Sequence, residues 1–258
     1  MTRIELRKLL PRALRNPLFG DRERWGLVPK KEDPCWKAWN QEVYSQFYYT
    51  NQKKGVGKVV NDAGYDVMGR VDFSNCRILE IGPGDIQHLG CWWKNQPGVE
   101  YVIADVKQSM IERSERVLNE AGIKNSSVKL ERESRVLPFA DNEFDHIVTF
   151  FALEHIYPLS VYLGELKRIL KPGGKLVGAI PAEGGMGWGM GRFLTTRRWL
   201  KKNTSIDPDK LICWEHPNFA STIVNDLDHH FDRENVQFWP LRVPLIDLNL
   251  VVRFVYRK

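Results

Sequence analysis

Two groups of residues in this chain have the types and spacing to do chemistry. The first is Glu80-Ile81-Gly82-Pro83-Gly84, followed about 20 residues later by Asp105. Two glycines at a strand end let a backbone approach a ligand closely, and a helix N-terminus behind such a turn favours an anionic group. An acidic side chain at the end of the next strand can accept hydrogen bonds from both ribose hydroxyls of a nucleotide-like cofactor. The second group is Glu154-His155 together with His216, which sits in Trp214-Glu215-His216-Pro217. A histidine titrates near working pH and so suits proton transfer at an acceptor. No metal is expected: His229-His230 reads as a solvated helix end. Cys35, Cys76, Cys91 and Cys213 are scattered without a CxxC pair, which points to neither a zinc site nor a disulfide framework.

Elements of alternating type must position these residues. Arg77–Ile81 reads as a buried strand, with a helical stretch after Gly84 to about Lys94. Tyr101–Ala104 is a second strand, leading into a helix over Gln108–Ala121 that Gly122 ends. Val128–Glu131 and His146–Phe150 are the third and fourth strands. Leu159–Leu170 is a helix stopped by Lys171-Pro172-Gly173-Gly174, and Lys175–Ile180 is the fifth strand. Strands alternating with helices of this length imply a parallel sheet. A glycine-rich, amphipathic stretch then runs from Gly184 to about Glu215. It is too long for a simple connection, so a lid or substrate-binding element is expected there. A helix over Asn218–His230 and two β-rich stretches, Val236–Val243 and Asn249–Tyr256, follow.

Taken in order, Leu79–Gly84, Asp105 with Met110, Leu137–Asp145, Ala152–His155 and Leu170–Lys175 resemble the successive motifs of class I S-adenosylmethionine-dependent methyltransferases. The nearest group is the small-molecule type exemplified by ubiquinone/menaquinone biosynthesis. The resemblance covers about residues 76–182. It implies a Rossmann-like seven-stranded, mostly parallel α/β sheet with helices on both faces. An N-terminal helical arm would occupy residues 1–75, and the methyltransferase domain residues 76–258, with its lid insertion at about 184–215.

The resemblance also implies roles. Glu80, Gly82, Pro83 and Gly84 would line the methionine part of S-adenosylmethionine, and Asp105 would hold the ribose. Val106 and Met110 would sandwich the adenine, with Glu133 and Ser134 at its edge, although the family usually has Asp where Glu133 stands. Backbone near Phe150 would meet the methionine amino group. Ile86 stands where the pattern often has a third glycine. Methyl transfer itself needs donor and acceptor held in line. His155, Glu154 and His216 are the candidates to serve a hydroxyl acceptor.

Composition narrows the function further. The chain of 258 residues has a formal charge of +6, with basic runs at residues 1–31 and in Arg192, Arg197, Arg198, Lys201 and Lys202. Such patches attract phosphates, anionic lipid or acidic sugars. With Trp188, Phe193, Trp199 and Trp214 in the insertion, a sugar or glycolipid-like acceptor bearing an anionic group is expected. A quinone or phenol ring would use the same aromatics. Leu6, Leu10, Leu14 and Leu18 recur every four residues among Arg3, Arg7, Lys8, Arg12 and Arg15. This is the layout of an interfacial helix over residues 1–20 facing an anionic membrane, although Pro11 would kink it. No apolar run approaches the ~20 residues needed to span a bilayer, and no signal peptide is evident, so a cytoplasmic protein, peripheral at most, is expected. The runner-up is an RNA methyltransferase, suggested by the basic pI. Phe150-Phe151-Ala152-Leu153 lacks the polar anchor and prolines with which base-methylating enzymes hold a flipped base, so no nucleic-acid partner is expected. A cofactor-binding subunit without turnover is the remaining alternative.

Overall fold

The structure is a computed structural model that describes residues 5–43, 55–92, 96–132 and 134–258. Arg3 and Glu133, both named above, lie outside the described residues.

Short helices make up the described arm. A 3-10 turn, Leu6–Lys8, is separated from α1 (Arg12–Phe19) by Pro11, which stands at the N-cap of that helix. The continuous leucine-striped helix expected over residues 1–20 is therefore not formed. Proline has no amide proton and its ring blocks the turn before it, so it fits a helix start and splits the segment there. Next come α2 (Arg22–Trp25), capped by Asp21, and α3 (Pro34–Ala38), whose start is fixed by Asp33 accepting from the Cys35 amide at 2.9 Å. A π-helical turn, Trp39–Val43, precedes α4 (Gly55–Tyr65), which runs into the 3-10 turn Asp66–Arg70.

The sheet has seven strands: β1 (Arg77–Ile81), β2 (Glu100–Asp105), β3 (Lys124–Lys129), β4 (Phe144–Phe150), β5 (Leu170–Pro181), β6 (Asp232–Trp239) and β7 (Val251–Arg257). Their order is β3-β2-β1-β4-β5-β7-β6, parallel except that β7 runs antiparallel to both of its neighbours. Side chains alternate between the two faces. Leu79, Ile81, Ile147, Leu176 and Phe254 pack on one side against α7 (Leu159–Ile169) and α11 (Ala220–His230). Ile78, Tyr101, Ile103, Val148 and Val177 pack on the other against α4, α5 (Leu89–Trp92) and α6 (Gln108–Glu120). Between β5 and α11 the insertion folds into α8 (Met186–Leu194), α9 (Thr196–Asn203) and α10 (Pro208–Glu215).

Two expected elements differ. The third strand starts four residues before the expected Val128, because Lys124-Asn125-Ser126-Ser127 forms a half-exposed edge strand with no apolar run to announce it. The helix expected after Gly84 begins only at Leu89 (α5), since Ile86 takes a left-handed conformation (φ 45°) that a helix cannot contain; its expected end near Lys94 lies outside the described residues.

The centre of the sheet leaves no room at Gly178, opposite Thr149. A Cβ built there would run into the Thr149 carbonyl oxygen and lie 2.9 Å from the Phe254 ring. Gly178→Ala is expected to lower stability by roughly 3 kcal/mol through overpacking and backbone shift. The urea midpoint would report it, at unchanged slope.

Candidate active site

The carboxyl ends of β1, β2 and β4 open into one cavity of about 1460 Å³, roofed by α8, α10 and the arm. Its floor is the turn after β1. Gly82 (φ 66°) and Gly84 (φ 59°) are both left-handed, and a Cβ on Gly82 would come within 2.9 Å of Ala152. The Gly82 amide donates to the Ala104 carbonyl at 2.9 Å, and Ser114 of α6 donates to the Gly84 carbonyl at 2.9 Å. Ile86 is only 1% exposed, so burial of its side chain holds a backbone conformation that β-branched residues avoid.

Glu80, expected beside a cofactor, is among the residues lining the cavity, and its carboxylate is buried from solvent. One oxygen lies 2.9 Å from His88 Nε2 and the other accepts from the Tyr101 hydroxyl at 2.7 Å. Its evident work is to fix the turn and the His88 ring. His88 itself lines the cavity, 5.2 Å from the Phe150 ring. The sequence analysis missed it because nothing in the spacing of Glu80 and His88, across a turn, signals that contact.

Asp105 reaches the cavity from the end of β2, accepting from the Lys107 amide at 2.8 Å. Burial raises its carboxyl above the ordinary aspartate range, opposed by the Lys107 amide and ammonium. Pro83, Val106, Met110, Ser134 and Phe150 line the same cavity. Ser134 turns its hydroxyl to the Val136 carbonyl at 2.7 Å. Phe150 stands edge-on to Tyr65 of α4 at 5.0 Å.

Glu154, His155 and His216 line the same cavity. Glu154 and His155 close β4 in a 3-10 turn, whereas His216 is the C-cap of α10. Their rings and carboxylate converge: His155 lies edge-to-face on His216 at 4.7 Å, and its Nε2 is 4.0 Å from Glu154 Oε1. A carbonyl only accepts, so His155 Nδ1, 2.5 Å from the Glu215 carbonyl, carries the proton. Burial pushes the Glu154 carboxyl up to about 8. Behind His216 lies a second network that the sequence did not disclose. Glu183 (1% exposed) holds Arg192 through both oxygens at 3.1 and 2.6 Å, and accepts from Trp188 Nε1 at 2.9 Å. His216 Nδ1 sits 2.8 Å from the same carboxylate. Although burial alone would raise it, Arg192 and His216 hold the Glu183 carboxyl at about 2. Burial and the Arg192 charge push His216 down to about 3, so its ring is neutral.

The basic residues assigned above to anion attraction are partly internal. Arg192 is paired with Glu183, and Arg197 forks onto Asp209 at 2.7 and 2.9 Å. Arg12 and Arg15 meet Glu23. Arg7 and Arg22 stack on the Phe219 ring at 3.7 and 3.8 Å, and Arg22 also donates to the His216 carbonyl at 2.8 Å. The arm thus clamps the segment that carries Glu215 and His216. Arg198, Lys201 and Lys202 stay exposed on α9.

Residues 79–178 match the family described as methyltransferase domain. Those residues include the Gly82–Gly84 turn, Asp105, Glu154 and His155, so the strand-end side of the cavity falls within the matched methyltransferase domain. A ubiquinone/menaquinone biosynthesis C-methyltransferase from Shewanella sp. (strain W3-18-1) is 37% identical over 103 residues, which is 39% of this chain and 41% of that protein. The chain therefore matches about two fifths of the length of that curated relative. Among solved structures, a carbon methyltransferase named CurJ superposes with a TM-score of 0.60 at 16% identity, covering 95% of this chain and 66% of the other. A protein from Pyrococcus horikoshii OT3 superposes at 0.57 and 16% identity, covering 86% and 98%. These likenesses establish the fold of the methyltransferase domain and its mostly parallel seven-stranded sheet. Among the described residues, no helix is long and apolar enough to cross a membrane.

Proposed function

We propose that the chain transfers the methyl group of S-adenosylmethionine to a small or carrier-bound acceptor. The observation that carries this reading is one cavity lined both by the Gly82–Gly84 turn with Asp105 and by Glu154, His155 and His216. In this reading Glu80, Gly82, Pro83 and Gly84 line the methionine part. Asp105 takes the ribose diol, Val106 and Met110 bracket the adenine with Ser134 at its edge, and backbone near Phe150 meets the methionine amino group. Residues 184–215 act as the lid and the helices before residue 76 as a cap over it. Bound S-adenosylmethionine supplies an electrophilic methyl on a sulfonium; the residues of the chain hold the acceptor in line and exclude water.

The lining offers Trp36, Trp188 and Trp214 as flat apolar walls, with Lys107, Arg132 and Arg135 as cations. That combination supports a ring-bearing acceptor with an anionic or oxygen substituent. A sugar or glycolipid-like acceptor fits, as does a quinone-like ring of the kind named for the relatives.

Calorimetry with S-adenosylmethionine and its demethylated product is expected to give one site per chain. Incubation of a labelled methyl donor with polar and lipid extracts is then expected to give one labelled product for mass spectrometry. A folded protein that binds neither donor nor product would overturn the reading. Of His155→Ala and His216→Ala, at least one is expected to keep cofactor binding and to lose about 10²–10⁴ in turnover. If both keep the wild-type rate, neither histidine serves the acceptor.

Contact of residues 1–20 with an anionic bilayer is retained as a proposal supported by exposed leucines: Leu9 is 74% and Leu14 is 58% exposed. Co-sedimentation with anionic vesicles, absent with neutral ones and lost at moderate salt, is the expected result. Protein that ignores anionic vesicles would refute it.

A further inference from the structure

We propose that Glu154, His155 and His216 bind a divalent first-row transition ion, of the zinc class, at the acceptor end of the cavity. Each residue offers one ligand atom, and these atoms lie within 4.8 Å of one another. Side chains around a zinc ion at about 2.0–2.2 Å would stand roughly 3.4 Å apart, so the widest pair has about 1.4 Å to close. Small torsional adjustments of three side chains cover that distance.

Three further features point to a cation rather than to a chance meeting of polar groups. First, Glu154 is 2% exposed and its Oε2 has no hydrogen-bond partner. A buried carboxylate oxygen left without a donor is costly, and a cation satisfies it. Second, both imidazoles are anchored through Nδ1, which leaves Nε2 to coordinate. His155 Nδ1 donates to the Glu215 carbonyl at 2.5 Å. His216 Nδ1 lies 2.8 Å from Glu183 Oε2 and 2.9 Å from Arg192 Nη2, and in the tautomer that donates Nδ1–H to the Glu183 carboxylate its Nε2 is left to coordinate. A carboxylate or carbonyl behind each ring is the arrangement that orients metal-bound histidines and sets their tautomer. Third, carboxylates stand behind both rings: Glu183 behind His216, and Glu215, whose Oε2 is 3.4 Å from His155 Nδ1. Two imidazoles with one carboxylate suit zinc and its first-row neighbours better than magnesium or calcium, which prefer all-oxygen shells.

Only three side chains converge, and the His155 side chain is 38% exposed on the cavity. The ion would therefore keep a position open, as catalytic sites do and structural ones do not. A hydroxyl of the acceptor that filled it would be a stronger acid and lose its proton to solvent water. Its oxygen would then take the methyl as the sulfonium S–CH3 bond breaks and the donor leaves as a neutral thioether. This consequence rests on the proposed methyl transfer. Metal binding does not, and the two fail separately.

The test is to dialyse the metal-free full chain and titrate Co²⁺ by visible absorption and Zn²⁺ by calorimetry. Binding of the cofactor product would be followed in the same samples as a check of fold. One ion per chain is expected, with cobalt bands of a four- or five-coordinate site. Glu154→Gln and His216→Ala should weaken it at least tenfold while product binding persists. Glu183→Gln, which touches the ion only through His216, should weaken it by about 10–100-fold. His229→Ala, on the far helix end, should leave it unchanged. No saturable binding, or binding retained in both Glu154→Gln and His216→Ala, would overturn the assignment. So would binding lost in His229→Ala, which would reveal a surface site.

Discussion

Asp105→Ala is expected to weaken binding of the cofactor product by about 10–150-fold, equivalent to losing 1.5–3 kcal/mol of a charge-assisted pair of hydrogen bonds. The strand end leaves this carboxylate partly buried at the cavity wall, where it accepts from the backbone amides of Lys107, at 2.8 Å, and Val106. Asp105→Asn separates charge from shape, since it keeps one acceptor and adds a donor the diol cannot use as well. It should fall between wild type and Ala. Burial raises the Asp105 carboxyl above 3.8 in the unliganded chain, whereas the diol stabilises the ionised form. Binding is thus linked to proton release. Affinity should hold at neutral pH and fall on acidification, beginning above the range of an ordinary aspartate. Calorimetry in a pH series measures both effects, and unchanged affinity in a folded Asp105→Ala chain would remove Asp105 from the site.

Glu183→Ala should destabilise the whole chain by about 3–5 kcal/mol, because it leaves the Arg192 charge buried and unmatched. Arg192 is 10% exposed and finds both oxygens of Glu183, while Trp188 Nε1 and His216 Nδ1 converge on the same carboxylate. The melting temperature should drop by roughly 10 °C for a chain of this size. A control identifies the cause. In Glu183→Ala combined with Arg192→Leu the uncompensated charge is gone, so part of the lost stability should return. A double variant no more stable than Glu183→Ala would show that packing, not the stranded charge, carries the loss.

The sheet was legible in the sequence wherever a strand is buried on both faces. Ile78-Leu79-Glu80-Ile81 and Tyr101–Ala104 are apolar runs that nothing but central strands explains, and their glycine and aspartate ends placed the cofactor side of the cavity. β3 was misplaced because its one-sided exposure leaves polar residues without an apolar period. The leucine repeat of the arm failed for a different reason: a periodicity of four says nothing when a proline falls inside it. On the acceptor side, His155 and His216 were found by residue type, and the structure brings them to 4.7 Å. The Glu183–Arg192–His216 network was not legible. Its members come from a strand end, a helix and a helix cap, and only tertiary folding sets such separations. The arm's arginines read as a surface patch because composition cannot distinguish a solvated cation from one stacked on Phe219.

The strand order β5-β7-β6 has a consequence for how the chain acquires its shape. β6 pairs with β7 alone, yet β7 comes after it in the sequence and must settle between β6 and β5. While a ribosome is still adding residues before Val251, the parallel portion through β5 can assemble, but β6 has no neighbour and the outer edge of β5 lies open. An open edge of that kind is a template for another chain. Synthesis therefore passes through a window in which five of the seven strands are paired and their flank is unguarded. The window closes only when one seven-residue strand slides into the gap. Ribosomes stalled before and after Val251–Arg257 should carry nascent chains of very different protease resistance, with the gain arriving at that last insertion and not gradually.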